Sequence, residues 1–121
     1  MQEFLAQFDW CLFSIALVFM GLDIVSGFAQ AVINSTVESS KIWKGLMHKG
    51  VLIFIVIFAV VCQTAAPMFN LPDGFNALYP SACGVIVFME CVSIVENIRK
   101  TGAIDSKLLD KLFGGLPKEE K

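Results

Sequence analysis

A chain of 121 residues, 56% hydrophobic and 17% charged, is one domain by length and too apolar for a soluble one, which runs at about 45–50% apolar and about 25% charged. A mean hydropathy of +0.72 excludes intrinsic disorder. A net charge of −2 argues against nucleic acid as a partner, since a nucleic-acid binder presents a basic face.

Residues 1–9 hold Glu3 and Asp9 but no Lys or Arg, so they lack the positive n-region of a cleavable signal peptide. The first apolar stretch predicts a helix over about 10–33, with Asp23 as its one charge. Along it Asp23, Gly27, Gln30 and Asn34 recur at i, i+4, i+7 and i+11, which places them on one helical face. Such a polar, small-residue stripe lets helices approach closely and hydrogen-bond in lipid. A polar connection with Lys41, Lys44 and Lys49 follows. The second stretch predicts a helix over about 51–69. It carries no charge, and its run VLIFIVIFAVVC has no polar face to show to water. Pro67, Pro72 and Asp73-Gly74 then predict a tight turn.

The third stretch predicts a helix over about 78–99, with Pro80 near its start and Arg99-Lys100 ahead of Gly102 at its end. Glu90, Ser93 and Asn97 share one face, with Glu96 beside them close to the basic pair. Leu108, Leu109, Leu112 and Phe113 lie opposite Lys107, Asp110 and Lys111, predicting a short amphipathic helix over about 105–113, capped by Asp105 or Ser106 and lying on the inner membrane surface. Gly114, Gly115 and Pro117 end it, ahead of a charged tail.

Each of the long stretches meets the roughly 20 apolar residues that a bilayer crossing requires. The expected fold is therefore an all-α membrane protein: three transmembrane helices plus a short C-terminal amphipathic helix, residues 1–113 as the membrane domain and 114–121 as the tail. All 9 Lys and Arg fall in the first connection and the segment after the third helix. The positive-inside rule then puts the N-terminus outside and the C-terminus in the cytoplasm. Trp10, Trp43 and Tyr79 fall near segment ends, as aromatic-belt residues do. Cys11, Cys62, Cys83 and Cys91 read as small buried hydrophobes; a Cys62–Cys83 bridge stays open, since both fall toward the same end of their segments.

An ionisable group at the bilayer centre costs about 2.5–3.5 kcal/mol or more, so Asp23 and Glu90 need a partner, a proton or water. Three readings fit. The stripes hold the bundle together, they face an assembly surface or water-filled path, or they couple ion transport. No motif supports an enzyme: the lone His48 sits beside Lys49 at the predicted interface, and phosphate-loop, dinucleotide and zinc-protease signatures are absent from the sequence. No catalytic residue, cofactor or metal ligand is expected.

Two blocks carry a resemblance. One is Gly21-Leu-Asp23-Ile-Val-Ser-Gly27-Phe-Ala29-Gln-Ala31, followed by Ser39-Ser40-Lys41-Ile-Trp43-Lys-Gly45 and Lys49. The other is Glu90-Cys-Val-Ser93-Ile94-Val-Glu96-Asn97, followed by Gly102 and a Leu-rich segment. They resemble the D-x-x-(S/T)-G-x-x-x-A and E-x-x-S-I-x-E-N blocks of the toxin-secretion/phage-lysis holin family, over about residues 20–113. The sequence departs from that pattern after Gly102, where Ala103-Ile104 stands in place of the usual proline, and its N-terminal segment is shorter than in many relatives.

The resemblance implies a protein that gathers with copies of itself in the bacterial cytoplasmic membrane and opens lesions there. An endolysin or a large toxin crosses as cargo without stable binding, and an antiholin is a further expected partner. Asp23, Gly27, Gln30, Asn34, Lys49, Glu90, Ser93, Glu96 and Asn97 are the assembly and pore-lining candidates. The alternatives are a small ion-coupled transporter or channel subunit, or an antiholin that delays a partner holin.

Overall fold

The computed structural model describes residues 2, 6, 8–104 and 106–114, and every regular element among them is helical. Helix α1 is Trp10–Ile33, α2 is Ser39–Ala65, α3 is Leu78–Thr101 and α4 is Ser106–Phe113. Two 3₁₀ turns, Ala66–Phe69 and Asp73–Ala77, join α2 to α3. Three segments are long and apolar enough to cross a bilayer: Trp10–Ile33, Ser39–Phe69 and Asp73–Thr101. The chain is thus a multi-pass, all-helical membrane protein.

The caps explain the ends. Asp9 accepts hydrogen bonds at Oδ1 from the Cys11 and Leu12 amides at 2.9 and 3.3 Å, satisfying two of the orphan donors of α1. At the other end of α1 the Thr36 amide reaches the Ala31 carbonyl at 2.8 Å and the Ser35 amide reaches that of Val32 at 3.1 Å. That is a Schellman stop with Ser35, at φ 54°, in the left-handed position. Gly102 at φ 70° ends α3 behind Arg99 and Lys100, where cations meet the negative end of the helix dipole. In α4, Lys107 and Leu108 are exposed, as are Lys111 and Leu112. Asp105, Gly115, Pro117 and the rest of the expected tail lie outside the described residues.

The second helix departs from the sequence expectation. It begins at Ser39, not near Val51, so the expected polar connection is largely its first turns. Lys41, Lys44 and Lys49 are helical residues. At 1.5 Å per residue the helix is about 40 Å long, and Lys49 lies about 15 Å along it. Lys49 is therefore about three turns into a helix rather than in a loop.

Helix α3 is the central element, packed along α1 on one side and against α2 on the other, while α1 and α2 barely touch. The core is a compact apolar cluster of Ala16 and Met20 from α1, Leu52, Val56 and Val60 from α2, and Tyr79, Cys83 and Ile86 from α3. Large apolar side chains such as Val25, Phe54, Phe58 and Val85 point outward. Soluble proteins rarely carry so much exposed apolar surface, whereas lipid solvates it.

One end of the bundle is fastened by Tyr79. Its hydroxyl donates to the Asp9 carbonyl at 2.6 Å, its ring stacks on Phe8 at 5.4 Å, and its amide donates to Gln63 Oε1 at 3.2 Å. Tyr79 is only 2% exposed, so it is an internal fastening and not the aromatic-belt residue its position suggested. Trp10 and Trp43 are exposed. Cys62 and Cys83 are free thiols.

Candidate functional site

Below the apolar core the bundle changes character. On α1 the sequence proceeds from Met20 to Asp23, on α2 it runs back from Leu52 to Lys49, and on α3 it proceeds from Ile86 to Glu90. The alternating directions of the helices bring these steps to one level. The Lys49 ammonium donates to Asp23 Oδ2 at 2.7 Å and also to Glu90 Oε2. One cation from α2 therefore joins carboxylates from both other spans. Glu90 is 2% and Lys49 9% exposed.

Burial of this kind is tolerable only because every charge has a partner, as buried charges require. Lys49 extends from a helix that barely touches α1, so its four-carbon stem reaches across a loosely packed gap. Removing Lys49 would leave two carboxylates facing each other without a counterion, whereas removing either carboxylate would leave Lys49 paired with the other.

Asn97, two turns beyond Glu90, extends the network. Its amide donates to Asp23 Oδ1 and to Ser26 Oγ, each at 3.1 Å. Ser26 in turn donates to the Asp23 carbonyl at 3.0 Å. Both protons of the Asn97 amide are thus used, and Asp23 is held through both carboxylate oxygens. Asn97 packs over Gly27: a Cβ there would meet Asn97 Nδ2 at 3.4 Å, an ordinary contact, so the site has room for a methyl but not for a long side chain.

The remaining sequence candidates divide. Gln30 and Ser93 line an open cleft of about 780 Å³ beside the network, together with Asp23, Gly27, Lys49 and Asn97. Asn34 sits at the far end of α1, where its amide donates to the Lys100 carbonyl at 3.1 Å and ties α1 to α3. Glu96 turns away and faces Arg99 of its own helix at 3.9 Å. The structure thus joins Asp23, Lys49, Glu90 and Asn97 directly, sets Gly27, Gln30 and Ser93 along the cleft, and leaves Glu96 outside. Among the described residues no group of three or more His, Cys, Asp or Glu could hold a metal ion.

Sequence reasoning missed Tyr79 and Gln63 as structural fastenings. A signal was present: Tyr79 is the chain's single tyrosine, and Gln63 interrupts an otherwise apolar segment.

The family model described as the bacteriophage holin family matches residues 1–117 of this chain. No curated protein and no solved structure gives a significant match.

Proposed function

This chain belongs to the bacteriophage holin family, and we propose that it accumulates in the bacterial cytoplasmic membrane, assembles with copies of itself and opens lesions through which an endolysin or a large toxin passes. The observation that carries this reading is the charged network of Asp23, Lys49 and Glu90 inside the apolar span. Within one protomer these groups satisfy each other, which suits a resting monomer or small assembly. The same groups have water as an alternative partner, which suits the wall of a lesion, where ionised side chains are solvated.

Intramembrane polar contacts are worth roughly 0.6–2 kcal/mol each. That range suits accumulation followed by cooperative rearrangement better than a permanently sealed bundle. Asp23, Gly27, Gln30, Asn34, Lys49, Glu90, Ser93, Glu96 and Asn97 are the proposed assembly and lining set. The proposed orientation has the N-terminus outside and the α1–α2 connection and C-terminus in the cytoplasm, from the clustering of Lys and Arg. Residues 1–113 are the proposed membrane domain, with 114–121 as its tail. An antiholin is a proposed partner.

Expression in a bacterium with and without a cytosolic endolysin tests the proposal. Abrupt loss of membrane potential with endolysin-dependent lysis is expected. The combined Asp23→Ala and Glu90→Ala variant should insert normally but lyse on an altered schedule or not at all; unchanged timing would refute the role of the network. Saturable flux of one solute without sudden death would instead favour an ion-coupled transporter.

A further inference from the structure

The cleft beside the charged network has a direction. Its walls come from the second half of α1, the first turns of α2 and the last turns of α3, and it ends at Asp23 and Lys49. Glu38 and Lys41 line it near the α1–α2 connection, and Lys100 lines it near the end of α3. Toward the opposite end of the bundle no such lining continues. There Leu52, Val56, Val60, Cys83 and Ile86 close the space as a packed apolar cluster. Glu90 is held by Lys49 but does not line the cleft.

We propose that this cleft is an aqueous vestibule in the resting protomer, entered only from the end where α1 hands over to α2, with the Asp23–Lys49 pair as its floor. Three physical points carry the inference. First, lipid is an unsuitable occupant of the inner end: ionised side chains are costly in hydrocarbon, and the cleft ends on Asp23 and Lys49, with Glu38, Lys41 and Lys100 toward its mouth. Second, a volume of about 780 Å³ is far more than a single water needs, and Gln30, Thr36, Ser93 and Asn97 supply the hydrogen-bonding partners that waters need. Third, an apolar, well-packed cluster stays dry, so the water column stops at Lys49. Water therefore crosses only part of the span, and the apolar cluster is the remaining barrier.

The inference concerns the resting protomer and uses the three-span fold but not lysis, so it stands or falls separately from the proposed lesion. The test is thiol labelling of the full chain in intact spheroplasts and in inverted membrane vesicles, with a membrane-impermeant thiosulfonate and, in parallel, a lipid-permeable maleimide. In a background with the native cysteines replaced by serine, Ser93→Cys and Gln30→Cys should be labelled by the impermeant reagent from the face that labels Lys44→Cys, and not from the other. Val56→Cys and Ile86→Cys should be labelled from neither. The unsubstituted chain supplies a second measurement: native Cys83, in the apolar cluster, should resist the impermeant reagent from both faces. Failure of the impermeant reagent to label Ser93→Cys from either face, whether or not the maleimide labels it, would mean a cleft without water and would overturn the proposal. So would labelling of Ser93→Cys from both faces, or labelling of Cys83 in the resting membrane.

Discussion

Replacing Lys49 by Met keeps an unbranched apolar stem of similar length and removes the ammonium, with its charge and its hydrogen bonds to Asp23 and Glu90. The Asp23 oxygen lies 2.7 Å from the ammonium, and a Glu90 oxygen contacts the same atom. The two carboxylates are therefore within roughly 5–6 Å of each other, about twice a hydrogen-bond length. At an effective dielectric of about 20, two like charges at that separation repel by about 3 kcal/mol, in line with the roughly 3–5 kcal/mol lost when one partner of a buried ion pair is removed. The unfolding equilibrium of K49M in mixed micelles, followed by helical circular dichroism against denaturing detergent, should shift by at least about a hundredfold. Neutralising the whole set, as K49M with D23N and E90Q, should recover most of that loss, because the penalty comes from stranded charge and not from missing bulk. If K49M unfolds like the parent, or the triple variant is no better than K49M, the network does not hold the spans together.

Tyr79→Phe removes the hydroxyl that reaches the Asp9 carbonyl; the same unfolding measurement should register a loss of about 1 kcal/mol, with the ring stack on Phe8 retained. Ser35→Gly relieves an L-residue held at φ 54°, and a gain of about 1 kcal/mol is expected in that assay. Gly27→Ala should be near neutral, since its Cβ meets Asn97 at ordinary contact distance. Gly27→Leu should displace Asn97 and cost at least the roughly 0.6–1.7 kcal/mol of an intramembrane hydrogen bond.

The three spans were legible because length and hydropathy alone define a crossing; a segment with no polar face has few other places to go. The i+3 and i+4 spacing likewise grouped Asp23 with Gly27 and Gln30, and Glu90 with Ser93 and Asn97. It could not say what those faces meet. Lys49 shows why. In sequence it follows Lys41, Lys44 and His48, and such a cluster reads as an interfacial connection. In the structure that cluster is the first part of α2, with Lys49 turned inward to two carboxylates supplied by distant helices. The driving force is the pairing itself, a tertiary contact with no local signature. Glu96 shows the converse: it shares a neighbourhood with Asn97 in sequence, yet one position around the helix is enough to aim it at Arg99 instead.

The two ends of the bundle are held by different physics, and this bears on where it would open first. Near Tyr79 the fastening is apolar packing, ring stacking and bonds to backbone groups that have no better partner in lipid. Near Lys49 it is a set of charges that water can solvate as well as they solvate one another. Separating the charged tier therefore costs least where the vestibule brings water to it, whereas separating the Tyr79 end exposes ring and aliphatic surfaces that gain nothing from water. Opening of the bundle would accordingly begin at the tier of Asp23, Lys49 and Glu90, with the apolar cluster of Val56, Val60 and Ile86 resisting it longer.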